Sequence, residues 1–314
     1  GRQGVEVPIT LRHDPADRPT TIRPRTVLAM LTGLWTLAQR RDHLGPVAGT
    51  ASRAVISRAR TRLALRSVLL AVYLWACSWI VPRPWLPPLS LGRGDHTVLA
   101  PVGINSADPD AFAGDWFMIN APQPHWFFDN VVAFGRATDQ LDATLFGFFA
   151  VGALAFGYAT ALLAQTWAPR MPLLAGLFVT TVAHLAPTYF AGTATIGVLI
   201  AVPAVVAANL LYLYITVSLL GYRWAPVLLL AIMTIHVQIG FIALGVGILM
   251  LLANAGARFR GHQGGRMDLG ANILVILASA LLGAWALSLR QVASNPSDFM
   301  QICERFIPFH CFPR

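Results

Sequence analysis

The sequence predicts an all-α fold, a polytopic transmembrane helix bundle of about six or seven spans with a large extracytoplasmic loop after the first. Three observations carry that expectation. Hydrophobic residues make up 56% of the 314 and charged residues only 12%, about half the charge of an ordinary soluble domain. Mean hydropathy is +0.60. Several stretches exceed the roughly 18 mostly apolar residues that a bilayer-crossing helix needs. The same figures exclude the soluble, disordered, collagen-like and disulfide-scaffold classes.

Residues 1–66 form a basic arm with 12 Arg against 4 acids, although the net charge of the whole chain is only +9. A basic segment beside the first apolar span marks a cytoplasmic end, so the arm is placed inside. Anionic lipid is its expected partner, at roughly 1 kcal/mol per Arg near the surface. No nucleic acid is expected, because the arm lacks interleaved aromatics. All 23 basic residues are Arg, a compositional bias rather than a selection for bidentate contacts. Residues 27–38 and 50–66 read as interfacial helices. The chain opens at Gly1 without a signal-peptide pattern, and a truncated chain is the expectation.

Residues 67–290 form the transmembrane domain. Its first span covers 67–81 and stops at Pro82, Pro84, Pro87 and Pro88, since proline interrupts the helical ladder. The acidic loop 82–142 follows. Later spans are expected at 143–166, 171–190, 196–220 and 271–289. The stretch 225–253 reads either as one tilted helix or as two half-helices broken near His236. The break is preferred, because it returns Arg258, Arg260 and Arg266 to the arginine side of the membrane. Residues 291–314 form an extracytoplasmic tail, where Cys303 and Cys311 have the setting for a disulfide. Cys77 is a packing residue inside the first span. A bacterial plasma membrane is the expected location.

Chemistry concentrates in the loop, which holds 7 of the 14 acids. Asp108, Asp110 and Asp115 stand among prolines and aromatics, where burial raises a carboxyl pKa and makes a proton acceptor. Asp108 and Asp110 flank Pro109 and suit a turn or cap equally well. Asp115 precedes Trp116 and Phe117 and is harder to read as a cap. His125 lies between Pro124 and Trp126 and also suits an ordered loop. Asp129 reads as the cap of a helix starting at Asn130, and Asp139 and Asp142 as cap and first-turn acid of the second span. Polar groups inside the spans are few, which gives His184, Asn209, His236 and Gln238 weight. An interhelical hydrogen bond explains His184 or Asn209 equally. No phosphate loop, zinc motif, Cys-x-x-Cys or nucleophile elbow is present. No cofactor is expected, although the acidic loop has the charge to attract a divalent cation.

The order of one span, an acidic loop with Asp108-Pro109-Asp110 and Gly114-Asp115-Trp116-Phe117, and then short-turn spans after Asp142 resembles the GT-C membrane glycosyltransferases. The resemblance covers about residues 67–290 and departs in the proline-rich stretch between the first span and the acids. It implies sugar transfer from a polyprenyl-phosphate carrier to an acceptor at the extracytoplasmic face. Asp115, Asp110 or Asp108 would be the general base. His125, Arg136, His236, Gln238 and His184 would bind substrate, with His125, Arg136 or His236 on the phosphate. The rival expectation is a non-catalytic membrane subunit or a transporter handling cell-envelope polymer. The transporter is the weaker rival, because no string of acids runs along the spans.

Overall fold

The computed structural model describes residues 53–80, 96–115, 118, 125–185, 189–190, 194–195, 202–259 and 269–288. The expected interfacial helix at 27–38, the Cys303–Cys311 pair and the tail lie outside them. The described chain is helical apart from one antiparallel pair of two-residue strands. In order it contains α1 (Arg53–Ile80), α2 (His96–Ala107), α3 (Trp126–Ala137), α4 (Leu141–Trp167), α5 (Pro172–Leu185), β1 (Tyr189–Phe190) and β2 (Ala194–Thr195). Then come α6 (Pro203–Leu219), α7 (Val227–Ile235), α8 (Val237–Phe259) and α9 (Leu269–Ser288).

Among the described residues, two helices, Leu141–Trp167 and Gly270–Ser288, are long and apolar enough to cross a membrane, while three other apolar helices are shorter. α4 is the hub of the bundle, and its buried face includes Phe148, Phe149, Phe156 and Leu162. α9 is the opposite case: Leu274, Leu277 and Leu281 are 68%, 56% and 73% exposed. A leucine face of that kind is expensive in water and favourable in hydrocarbon.

Several boundaries differ from expectation. The surface helix 50–66 and the first span join as one helix, because nothing between Arg58 and Ser67 breaks it. The third apolar helix ends at Leu185, two residues before Pro187, since the residue preceding a proline avoids helical geometry. The fourth begins at Pro203, where the missing N–H is harmless in the first turn. The loop 82–142 is structured where described: α2 and α3 pack together, and α3 packs on the start of α4. A β-carbon on Gly103 of α2 would lie 2.5 Å from the Asp129 carbonyl oxygen and 2.6 Å from the Val132 β-carbon. Only glycine permits this approach.

The stretch 225–253 breaks at His236, whose φ of −152° and ψ of 109° are extended. The two helices then fold back on each other. Gly240 meets Met233, and further from the tip Gly247 meets Leu229. This is the expected break.

These contacts fix the direction of every helix. Leu70 meets Gly176, and the Tyr73 and Thr181 hydroxyls are 2.8 Å apart, so α1 and α5 run together. Gly152 meets Val206, and Phe156 meets Tyr212, so α4 and α6 run the other way. Phe241 meets Gly283, which aligns the end of α9 with the His236 tip. The bundle therefore has two chemically distinct ends. The described acids, Asp108, Asp110, Asp115, Asp129, Asp139 and Asp142, share one end with His125 and His236. Among the described arginines, only Arg136 joins them there.

Candidate functional site

The acidic end is organised by α3 and the His236 tip. His125 is the N-cap residue of α3, and its backbone N–H donates to Asp129 Oδ2 at 2.8 Å. Asp129 thus reaches back from the first turn to hold the residue in front of the helix, as a capping box does. It is therefore not the cap of a helix beginning at Asn130, but a first-turn acid of one that begins at Trp126 behind the N-cap His125. The price of this arrangement is burial, because the apolar run Phe127, Phe128, Val131, Val132 turns one helix face inward. Asp129 is 8% exposed. Burial pushes its carboxyl pKa up from 3.8 to about 6, against the lowering effect of the His125 backbone hydrogen bond.

Two polar atoms at this site are buried without a hydrogen-bond partner among the described residues. They are Asp129 Oδ1 and the indole nitrogen of Trp126. One accepts and the other donates, and they belong to residues three apart on one helix, which share a face. The His125 ring stacks on the His236 ring with centroids 5.5 Å apart and planes 21° apart. The Trp126 ring meets Trp285 of α9 edge-on at 5.2 Å. Phe128 packs on Phe148 at 5.4 Å, tying the same turn to α4. His236 also ends one helix and starts the next. Its Nδ1 accepts the Ile239 N–H at 3.3 Å, and its carbonyl accepts the Gly240 N–H at 2.8 Å. A ring nitrogen that accepts carries no proton, so in that state the neutral imidazole bears its proton on Nε2.

The other expected residues are dispersed. Asp108 forms an ion pair with Arg136 at 3.0 Å, with both side chains substantially exposed. Asp110 lies on an exposed run of turns. Asp115 is exposed, and its Oδ1 accepts the Met118 N–H at 3.0 Å, a local structural use. Gln238 is exposed in the first turn of α8. His184 is buried near the end of α5, which packs mainly on α1 and α4, away from α3 and the tip. Asn209 is buried in α6. Asp139 does not cap the second span. It ends α3 with a φ of 55°, while Asp142 is the first-turn acid of α4 as expected. Among the described residues, no three His, Cys, Asp or Glu side chains converge on a cation position.

Of the residues expected to act, the structure joins His125 to His236 by ring stacking and Asp108 to Arg136 by an exposed ion pair. It adds Asp129, Trp126 and Trp285, which sequence reasoning did not single out. The available signal was Asp129 itself, an acid directly inside an apolar helical run. Comparison of the chain with protein-family models, with curated proteins and with solved structures finds no match in any of the three.

Proposed function

We propose that the chain is a bilayer-embedded protein of the bundle type, with its arginine end cytoplasmic, that transfers a sugar from a polyprenyl-phosphate carrier. The reaction is placed at the acidic end, with Asp129 as general base in place of Asp115, Asp110 or Asp108. The observation supporting this choice is the buried Asp129 oxygen with no hydrogen-bond partner among the described residues, beside the stacked His125 and His236.

In this reading an acceptor hydroxyl donates to Asp129 Oδ1 and accepts from the Trp126 indole N–H, which satisfies both groups at once. Its oxygen attacks the anomeric carbon and its proton passes to Asp129. The bond from that carbon to the phosphate oxygen breaks, and the electron pair leaves with the phosphate. The Nε2–H of His236 and a ring N–H of His125 face the departing negative charge as hydrogen-bond donors. A carboxyl titrating near 6 is closer to the ideal proton acceptor at neutral pH than an exposed one. Both buried atoms are closed to solvent, so the hydroxyl enters as the Trp126–Trp285 cover parts. The exposed leucines of α9 would carry the isoprenoid tail alongside.

The test is turnover of a lipid-linked sugar in membranes containing the full chain. Asp129→Asn is expected to lose activity about 100-fold or more, while Asp110→Asn and Asp115→Asn retain most of it. Full activity in Asp129→Asn would remove the assignment. A second reading, a non-catalytic subunit, is favoured by the solvent-facing positions of Asp110 and Asp115. It predicts no turnover in any variant and partner capture that fails only when several of the exposed acids are replaced.

A further inference from the structure

The contacts of α3 also fix the level of the acidic-end site. α3 lies antiparallel against the first turns of α4: Gly135 meets Leu141 and Thr144, and Phe128 meets Phe148. The chain therefore enters α3 deep in the bundle and climbs towards Asp142, the first-turn acid of α4. Asp142 and Phe148 are six residues apart, about 9 Å along a helix. Asp129 and Trp126, within two residues of Phe128, lie near that deeper level. Their surroundings are unequal. α2 closes one side, with Gly103 against the Asp129 carbonyl and Leu99 packed on Val202 and Val205 at the start of α6. α9 closes another through the edge-on contact of Trp126 with Trp285. Trp285 is 47% exposed and stands four residues after Leu281, so it shares the leucine face. Since the end of α9 lies beside the His236 tip, Leu281, Leu277 and Leu274 lead from Trp285 away from the acidic end.

We infer that the acceptor is a lipid alcohol of the bilayer, a hydroxyl carried directly on a glycerol or hydrocarbon chain, admitted sideways between Trp126 and Trp285. The inference rests on the transfer reading above and adds to it the class of acceptor. Three features agree. The polar layer on each side of a bilayer is about 5–8 Å deep, so a hydroxyl about 9 Å below Asp142 sits where lipid chains begin. The two buried atoms without a partner among the described residues match a single hydroxyl: Asp129 Oδ1 accepts its proton, and the Trp126 indole N–H donates to its oxygen. A water-soluble sugar would bring further hydroxyls against Phe128 and Trp285, where unpaired ones are costly. The opening faces hydrocarbon, because Trp285 looks out on the leucine side of α9. The acceptor's chain then descends along Leu281, beside the carrier's isoprenoid.

The experiment places the full chain in vesicles of phosphatidylcholine and lipid-linked sugar. The probe is dioleoylglycerol with a diazirine in one acyl chain, and its O-methyl ether is the control that has no hydroxyl to donate. Photolabelling is mapped by mass spectrometry. The alcohol is expected to label residues 277–285 about fivefold more than the ether, the factor of one net hydrogen bond. The exposed apolar face of α5, which includes Leu174 and Phe178, should take both probes equally. Asp129→Leu should bring the ratio at 277–285 to about one, with a melting temperature no lower than the parent's. Asp129→Asn should keep the ratio within about twofold, because an amide oxygen still accepts, although turnover is lost. Equal labelling of 277–285 by both probes in the parent chain overturns the inference. Turnover of lipid-linked sugar in the same vesicles separates that failure from failure of the transfer reading. A fivefold ratio that persists in Asp129→Leu also overturns it, since the hydroxyl is then held elsewhere. So does transfer to water-soluble glycerol as fast as to dioleoylglycerol. Full turnover in Asp129→Asn removes the base, and this acceptor role with it.

Discussion

The two ends of the bundle close a helix with the same hydrogen-bond pattern and fill the critical position differently. At the arginine end α6 stops at Gly221, φ 78°, and at the acidic end α3 stops at Asp139, φ 55°. In both, the second residue past the cap donates to the carbonyl five residues back: Tyr222 to Val217 at 2.9 Å, Gln140 to Gly135 at 2.8 Å. Glycine takes the left-handed region freely, whereas an aspartate takes it at some strain. The arginine end is therefore closed without conformational cost and keeps its charges in solvent. The acidic end carries strain at Asp139, a desolvated carboxyl at Asp129 and a helix break at His236. Concentrated local cost of this kind marks the end where function is to be sought.

The largest test of that contrast is catalytic. The fall of about 100-fold expected for Asp129→Asn should have no counterpart at the arginine end, where Arg170→Gln, in an exposed turn, leaves turnover within about twofold. Loss of turnover in both would erase the distinction between the ends.

Next in size is the pH dependence of stability. Asp129 has a folded pKa of about 6, above its ordinary 3.8. The folded state therefore holds this proton more tightly than the unfolded chain does. Its contribution is fully present below pH 3.8 and is lost as pH rises through 6, on the order of 2 kcal/mol after allowance for solvent screening. Thermal unfolding in detergent should show Asp129→Asn more stable than the parent at pH 7.5, with the gain shrinking towards pH 5. A constant difference across that range would mean the carboxyl is not desolvated in the folded protein.

Gly103→Ala comes third. Its β-carbon would press on the Asp129 carbonyl and on Val132, and overpacking of this kind typically costs about 1–3 kcal/mol. The variant should also lower turnover, because the push falls on the residue carrying Asp129. Normal stability and turnover would show that α2 can slide off α3.

The helix closures then separate by degree. Gly221→Ala is expected to destabilise by about 1–2 kcal/mol. Asp139→Ala should cost less, since the aspartate already bears part of that strain. The reverse ranking in denaturant unfolding would mean that Asp139 earns its place through its carboxylate. The smallest effect belongs to the Asp108–Arg136 pair, which is too exposed for strong coupling. A double-mutant cycle should give roughly 0.2–1 kcal/mol, falling with added salt.

How much of this was legible in the sequence depends on the kind of signal. Long uniform apolar runs announced α4 and α9 to within about two residues, because continuous hydrophobicity has few other uses. Pro187 and Pro203 were equally visible, yet the expected spans at 171–190 and 196–220 ran past the helix ends they set. Apolar residues continue beyond both boundaries, and periodicity alone does not say when a chain stops being helical. The break at His236 was legible through charge balance, since the expectation that Arg258, Arg260 and Arg266 lie on the arginine side called for a reversal of the chain there. Asp115 looked the best base because aromatics follow it. Its exposure was not legible, because burial depends on what packs from elsewhere in the chain. Asp129 was read as the cap of a helix beginning at Asn130, whereas it is a buried acid in the first turn of a helix whose N-cap is His125.

The sequence by itself determined that this chain is helical and apolar, that its charges segregate by segment, and where α4 and α9 run. These follow from composition and local periodicity, which each stretch carries without its neighbours. Tertiary structure alone decided that His125 stacks on His236 across residues 125 to 236, and that Asp129 is desolvated. Such pairings depend on helix directions and close approaches such as Gly103 on Asp129. Local sequence cannot encode them, because desolvation and contact are properties of the neighbours a residue acquires.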